Sequence, residues 1–173
     1  MDMILATADH LDVMTAITDQ AKANMAAMGI DQWQAGYPDC ATWEADVAGG
    51  AAYVGVEDGR VVAVFCYSNA PEASYDTLEG EWLTSGPYAV IHRCAVDPAE
   101  RGRGLIGELF QFACDKAAAE GIASMRIDTH ADNAPMRRAV EKFGFTYCGP
   151  IALADGPEAG SPRIAFEKVL KVL

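Results

Sequence analysis

The sequence is short of positive charge. Its 173 residues hold 13 Lys and Arg against 25 Asp and Glu, a formal net charge of −12. A field of that sign repels phosphate backbones and anionic membrane surfaces, so nucleic acid and membrane are excluded as expected partners and a cationic small molecule such as an amine is favoured. Cysteine is sparse as well. Cys40, Cys66, Cys94, Cys114 and Cys148 are odd in number, widely spaced and without a CxxC pair. Neither a disulfide framework nor a zinc clamp is expected; no metal is assigned, and a reducing, cytoplasmic setting fits. Apolar runs stay well short of the roughly 18 residues a membrane span needs, and the opening segment MDMILATADH carries acid where a secretory leader carries base.

What is present suffices for a hydrophobic core. Hydrophobic residues make up 51% and charged residues 22% of the chain, ordinary for a globular protein, and the length suits one domain over residues 1–173. Periodicity predicts a strand at Met3 to Thr7 and an amphipathic helix from Asp9 to Met28. Residues 30–50 read as a structured loop holding a short helix from Thr42 to Val47. Ala51 to Val56 and Val61 to Tyr67 flank Glu57-Asp58-Gly59-Arg60, and Asp-Gly between β-rich runs predicts a hairpin because its turn needs positive φ. Residues 69–87 form a long polar insertion of the kind that often carries function. A strand at 88–96 follows, then a helix from Leu105 with Leu109, Phe112, Ala113 and Ala117 on its apolar stripe, and a strand at 122–129. Asp132 or Asn133 caps a further helix ended by Gly144, and strands at 145–153 and 164–170 close the chain. Fold class is therefore α/β, with a mixed sheet flanked by helices.

Between Val96 and the helix lies the stretch AVDPAERGRGLIGELF. A helix begun by glycines presents unpaired N–H groups and the positive end of its dipole, and it lets an anion approach the backbone closely. Arg101 and Arg103 in the same turn add charge-assisted contacts, so positive charge is concentrated where an anionic cofactor would dock. The turn is no ATP-binding GxxxxGK(S/T), and GRGLIG, although it has GxGxxG spacing, is not read as the dinucleotide fingerprint, which pairs that spacing with a ribose-binding acid after a following strand.

In its context this segment resembles the GNAT superfamily of acetyl-coenzyme A dependent N-acetyltransferases. The likeness rests on a strand ending Cys94-Ala95-Val96, then Asp-Pro, then Arg101-Gly102-Arg103-Gly104-Leu105-Ile106 against the pattern (R/Q)-x-x-G-x-(G/A), with Gly107 one place late. A second block, Asp132-Asn133-Ala134-Pro135-Met136 ending at Phe143-Gly144-Phe145, is similar to the family's N-x-x-A-x(6)-G-F. The resemblance implies a GNAT fold whose sheet is splayed between 88–96 and 122–129, with acetyl-coenzyme A in the gap. It implies that the backbone of Cys94, Ala95 and Val96 pairs with the pantetheine arm, that the amides of Gly102, Arg103, Gly104, Leu105, Ile106 and Gly107 hold the pyrophosphate, and that Asn133 contacts the cofactor near its thioester. The expected reaction is acetyl transfer to a primary amine of a small molecule or peptide terminus by direct attack. A non-catalytic coenzyme A sensor is the rival reading, and a homodimer is compatible with either.

Acetyl transfer to an amine needs a group that removes a proton. Alternation places His92 on the same strand face as Cys94, at the position where arylalkylamine acetyltransferases, which the segment also resembles, use a histidine for proton removal. Asp128 lies five residues before Asn133, where ribosomal-protein alanine acetyltransferases carry a glutamate base. It shares a strand face with Arg126 and His130, and a carboxylate meeting His92 across the gap would orient the imidazole. Cys94 reads as a small core residue. Many relatives place an acidic tyrosine where this chain has Val140; Tyr147 or a water is the candidate substitute, the alternative being a thiolate that leaves without a dedicated acid. Trp33, Tyr37 and Trp82, with Trp43 nearby in sequence, and His130 are the expected acceptor-binding residues.

Overall fold

The structure is a computed structural model and describes residues 1–171. Seven strands form one mixed sheet in the order β1-β2-β3-β4-β5-β7-β6. They are β1 (Asp2–Leu5), β2 (Ala52–Glu57), β3 (Arg60–Ser68), β4 (Ala89–Val96), β5 (Ser124–Thr129), β6 (Thr146–Ala152) and β7 (Pro162–Val169). Four α-helices accompany them among the described residues: α1 (Leu11–Ala27), α2 (Cys40–Ala48), α3 (Leu105–Ala119) and α4 (Ala134–Phe143). The expected mixed, helix-flanked α/β sheet is the one found. Only β4 and β5 run parallel, as a strand–helix–strand unit requires; the other neighbours are antiparallel.

Local chemistry explains the boundaries. Asp58 and Gly59 both adopt positive φ in the β2–β3 turn, as an Asp-Gly hairpin demands. α2 is longer than the sequence pattern indicates because Asp39 caps it, its carboxylate accepting the Thr42 N–H at 2.8 Å. Asn133 caps α4 by accepting the Met136 N–H at 3.2 Å, Pro135 stands in the first turn, and Gly144 ends the helix at φ +94°. The stripe of α3 is rotated from the expected one: Phe110 and Cys114 are buried, while Phe112 lies half-out against Tyr53 and Phe65.

The two faces of the sheet are covered differently. α3 and α4 pack on one face over Phe65, Ile91, Met125, Ile127 and Phe166. On the other face, α1 and α2 bring Met14, Ile17 and Trp43 onto Val54, Val64 and Ala95. Each fully buried side chain of this size stabilises the fold by about 1.5–3 kcal/mol. Beyond β4 the second face loses its helices, and the 69–87 insertion takes over, with Tyr75 seated on Val90, Ile151 and Ala165.

A buried ion pair fastens that insertion. Arg126 is held between the rings of Trp82 and Tyr88, 3.9 Å from each centroid. Its partner Glu167 also accepts from the Ser124 hydroxyl, the Thr84 hydroxyl at 2.6 Å and the Leu83 and Thr84 amides. Glu167→Gln keeps the shape but loses the charge that these donors converge on. Denaturant titration is expected to show a loss of about 1–3 kcal/mol; an unchanged midpoint would mean that the pair does not fasten the insertion.

Candidate active site

β4 and β5 pair only at Ala89↔Met125 and Val90↔Arg126 and then part. From His92 onward β4 still pairs with β3 but presents an open backbone edge toward β5, and such an edge pairs readily with an extended amide-bearing chain. The parting opens into a cleft of about 1070 Å³.

β4 also carries a bulge. Cys66 opposes His92 and Val64 opposes Ala95, so Arg93 and Cys94 share the space opposite Phe65, and Arg93 has φ +51°. This extra residue breaks the alternation on which a common face for His92 and Cys94 depends. Cys94 turns into the core beneath α3, and burial pushes its thiol up to about 12, which makes it inert as a nucleophile. Arg93 turns to the opposite face and meets Asp46 at 2.7 and 2.8 Å and the Tyr37 hydroxyl.

At the end of β4 the chain enters the glycine turn. Gly102 and Gly104 have φ +81° and +84°, the latter as N-cap of α3. The amides of Gly102 through Ile106 donate to nothing among the described residues, whereas the Gly107 N–H is committed to the Gly104 carbonyl at 2.9 Å. Gly107 thus lies outside the free-amide cradle. Arg103 contributes its amide but not its side chain, because Glu57 at 2.8 Å and Glu100 draw its guanidinium away from the cleft. Arg101 lines the cleft and has no carboxylate partner among the described residues. Asn133 lines it as well, but its side chain is already engaged with the Met136 amide and with Gln32 Oε1 at 3.3 Å.

Three titratable groups line the cleft at the parting: His92 on β4, Asp128 on β5 and Glu72 on the insertion. His92 and Asp128 do not meet. Asp128 accepts the Tyr75 hydroxyl at 3.1 Å, and burial raises its carboxyl to about 6, against that bond and a distant Arg163. His92 Nε2 faces Glu72 Oε2 at 3.5 Å. Burial, with help from Arg93, drives the imidazole down to about 3, so the ring is neutral across the physiological range. Glu72 was invisible to motif reasoning because nothing in the polar insertion separates it from its acidic neighbours. Its place is fixed in three dimensions, by the Ser74 amide on its carboxylate at 3.0 Å and by its own N–H on the Tyr88 hydroxyl at 2.9 Å.

The expected acceptor aromatics divide. Trp33 and Tyr37 line the cleft. Trp82 does not; it stacks on Arg126 and on Tyr75. Trp43 is core. His130 is turned away, with Nε2 on Asp31 at 3.1 Å. Val140 is fully buried, and Tyr147 is exposed against Phe166 outside the cleft, so neither supplies an acid there. Next to Trp33, whose backbone N–H donates to Glu158, the β6–β7 loop adds Asp155 and Glu158, the latter in a buried pair with Arg163 of β7 at 2.9 Å. Among the described residues no group of His, Cys, Asp and Glu is arranged to hold a metal ion, and no helix is long and apolar enough to cross a membrane.

The acetyltransferase (GNAT) family profile matches residues 16–145. An acetyltransferase of the GNAT family from Streptococcus agalactiae is 32% identical, with a TM-score of 0.86 over 98% of this chain and 95% of that one. The Escherichia coli ribosomal-protein-S18-alanine N-acetyltransferase shares the fold at 15% identity and a TM-score of 0.68, covering 99% of this chain and 95% of its own. So does a protein of Salmonella typhimurium described as an acetyltransferase and solved with acetyl-CoA, at 18% identity and 0.65 over 98% and 94%. No curated protein matches the sequence significantly.

Proposed function

The chain belongs to the acetyltransferase (GNAT) family, and we propose that it transfers an acetyl group from acetyl-coenzyme A to a primary amine by direct attack within one ternary complex. The observation that carries this reading is the parting of β4 from β5 with Asp128, His92 and Glu72 at its edge and free amides at its end. Acetyl-coenzyme A, when bound, supplies the activated acyl group. The amides of Gly102 through Ile106 and the Arg101 side chain suit its diphosphate, and the open backbone of Cys94, Ala95 and Val96 suits its amide-bearing arm. Leu105 and Ile106 also offer side chains to the cleft wall.

Of the two candidate catalytic residues, Asp128 is the one this reading assigns as base. With its carboxyl near 6, Asp128 is ionised at neutral pH yet basic enough to take the ammonium proton, which is what a general base requires. A ring held near 3 is a poor base; His92 instead orients the acceptor as a neutral hydrogen-bonding group between Glu72 and the cleft. His92→Ala is therefore expected to lower kcat/KM by roughly tenfold, the worth of one such hydrogen bond.

The deciding experiment measures coenzyme A release with acetyl-coenzyme A and a panel of polyamines, arylalkylamines, aminoglycosides and peptides. Turnover on any primary amine supports the reading. Coenzyme A binding without turnover across the panel would sink it in favour of a sensor.

A further inference from the structure

The charged groups of the cleft are unevenly spoken for. Arg93 gives its donors to Asp46 and Tyr37. Arg163 gives its own to Glu158 and to the Pro162 carbonyl at 2.8 Å. Neither guanidinium is free to greet an incoming carboxylate. By contrast Glu72, Asp128 and Asp155 line the same cleft, and none forms an ion pair with Lys or Arg among the described residues. The two cleft arginines without a carboxylate partner among the described residues, Arg101 and Arg138, belong to the glycine turn and to α4.

We propose that the acceptor is a primary amine without a carboxylate, the decarboxylated counterpart of an amino acid, whose ammonium is drawn in by Glu72 and Asp128. The inference rests on the acetyltransferase reading and narrows it. An ammonium entering beside these carboxylates gains attraction from both before it surrenders a proton to Asp128. An α-amino acid brings its own carboxylate within a few ångströms of the same ammonium. It meets repulsion from Glu72 and Asp128, and the guanidiniums of Arg101 and Arg138 belong to the glycine turn and α4 rather than to the strands and insertion that carry these carboxylates; rejection of this kind is how a site discriminates between close analogues. Met25 and Trp33 form an apolar stretch of the same wall, so the tail of the amine can be a hydrocarbon or an aromatic ring.

Matched pairs test this directly: tryptamine against tryptophan, cadaverine against lysine, histamine against histidine. Each is measured for acetyl transfer, and by calorimetry for binding to the wild-type chain saturated with coenzyme A. Every amine is expected to exceed its parent amino acid by at least about tenfold in kcat/KM and in affinity, and Glu72→Gln is expected to shrink that ratio. Parent amino acids that bind and react as well as the amines would overturn the inference while leaving the acetyltransferase reading intact. If no compound is acetylated, that reading fails, and the calorimetric ratio alone still decides whether the cleft rejects carboxylates.

Discussion

Replacing Asp128 by Asn is expected to lower kcat/KM by roughly 10²–10⁴-fold, the usual contribution of a general base, and at the same time to make the protein more stable at neutral pH. Both effects have one origin. Burial lifts the carboxyl from its ordinary 3.8 to about 6, so the folded state holds the proton more tightly than the unfolded chain. Well below pH 3.8 the group is protonated in both states and costs nothing. As pH rises through 6 the folded protein must carry a buried carboxylate, and a displacement of this size is worth on the order of 2–3 kcal/mol. Asn carries no charge and can still accept the Tyr75 hydroxyl that Asp128 accepts at 3.1 Å. Denaturant midpoints of the two proteins should therefore converge toward about pH 3 and separate in favour of the variant between about pH 4 and 7. The wild-type pH–rate profile should rise with an apparent pKa near 6, and that limb should vanish in the variant. A profile that keeps it, or an Asn variant with near-normal turnover, would remove Asp128 from the reaction and leave Glu72 as the remaining base.

The contrast between Asp128 and His92 shows where sequence reasoning reaches. Alternation along β5 was enough to aim Asp128 at the gap, since that strand pairs with β7 without interruption. It failed on β4 because a bulge adds a residue that no hydrophobic pattern announces; Arg93 is polar, has positive φ and is paired with a carboxylate 47 positions away. The glycine turn was legible for the opposite reason. Positive φ at Gly102 and Gly104 is a local requirement with a local residue preference, as it is at Gly59 and Gly144. Arg103 looks like a phosphate ligand in sequence and is not placed as one, because Glu57 comes to it from the β2–β3 hairpin. Glu72 and Trp82 lie in the same insertion, yet one reaches the cleft and the other packs on Arg126. That division is decided by how the segment folds back on β5 and β7, and composition carries no trace of it.

The glycine turn supports a second sharp expectation, in which charge and shape can be separated. Gly104 has φ +84°, and nothing lies within 4 Å of where a Cβ would stand. Asn and Asp are the side-chain-bearing residues that tolerate this conformation best, so Gly104→Asn and Gly104→Asp should both fold, each at a cost of about 1–2 kcal/mol. They add nearly the same atoms to the cradle, but only Asp adds an anion beside the amides of Gly102 through Ile106. A unit charge about 4 Å from a phosphate, at the effective dielectric of a protein surface, is opposed by up to about 4 kcal/mol. Calorimetry should therefore find coenzyme A affinity reduced on the order of 10²–10³-fold in the Asp variant and at least about tenfold less severely in the Asn variant, with circular dichroism unchanged in both. Equal losses would mean that the cradle is closed by bulk rather than by charge. Wild-type affinity in both would show that the diphosphate is held elsewhere, and the parting of β4 from β5 would lose its assigned occupant.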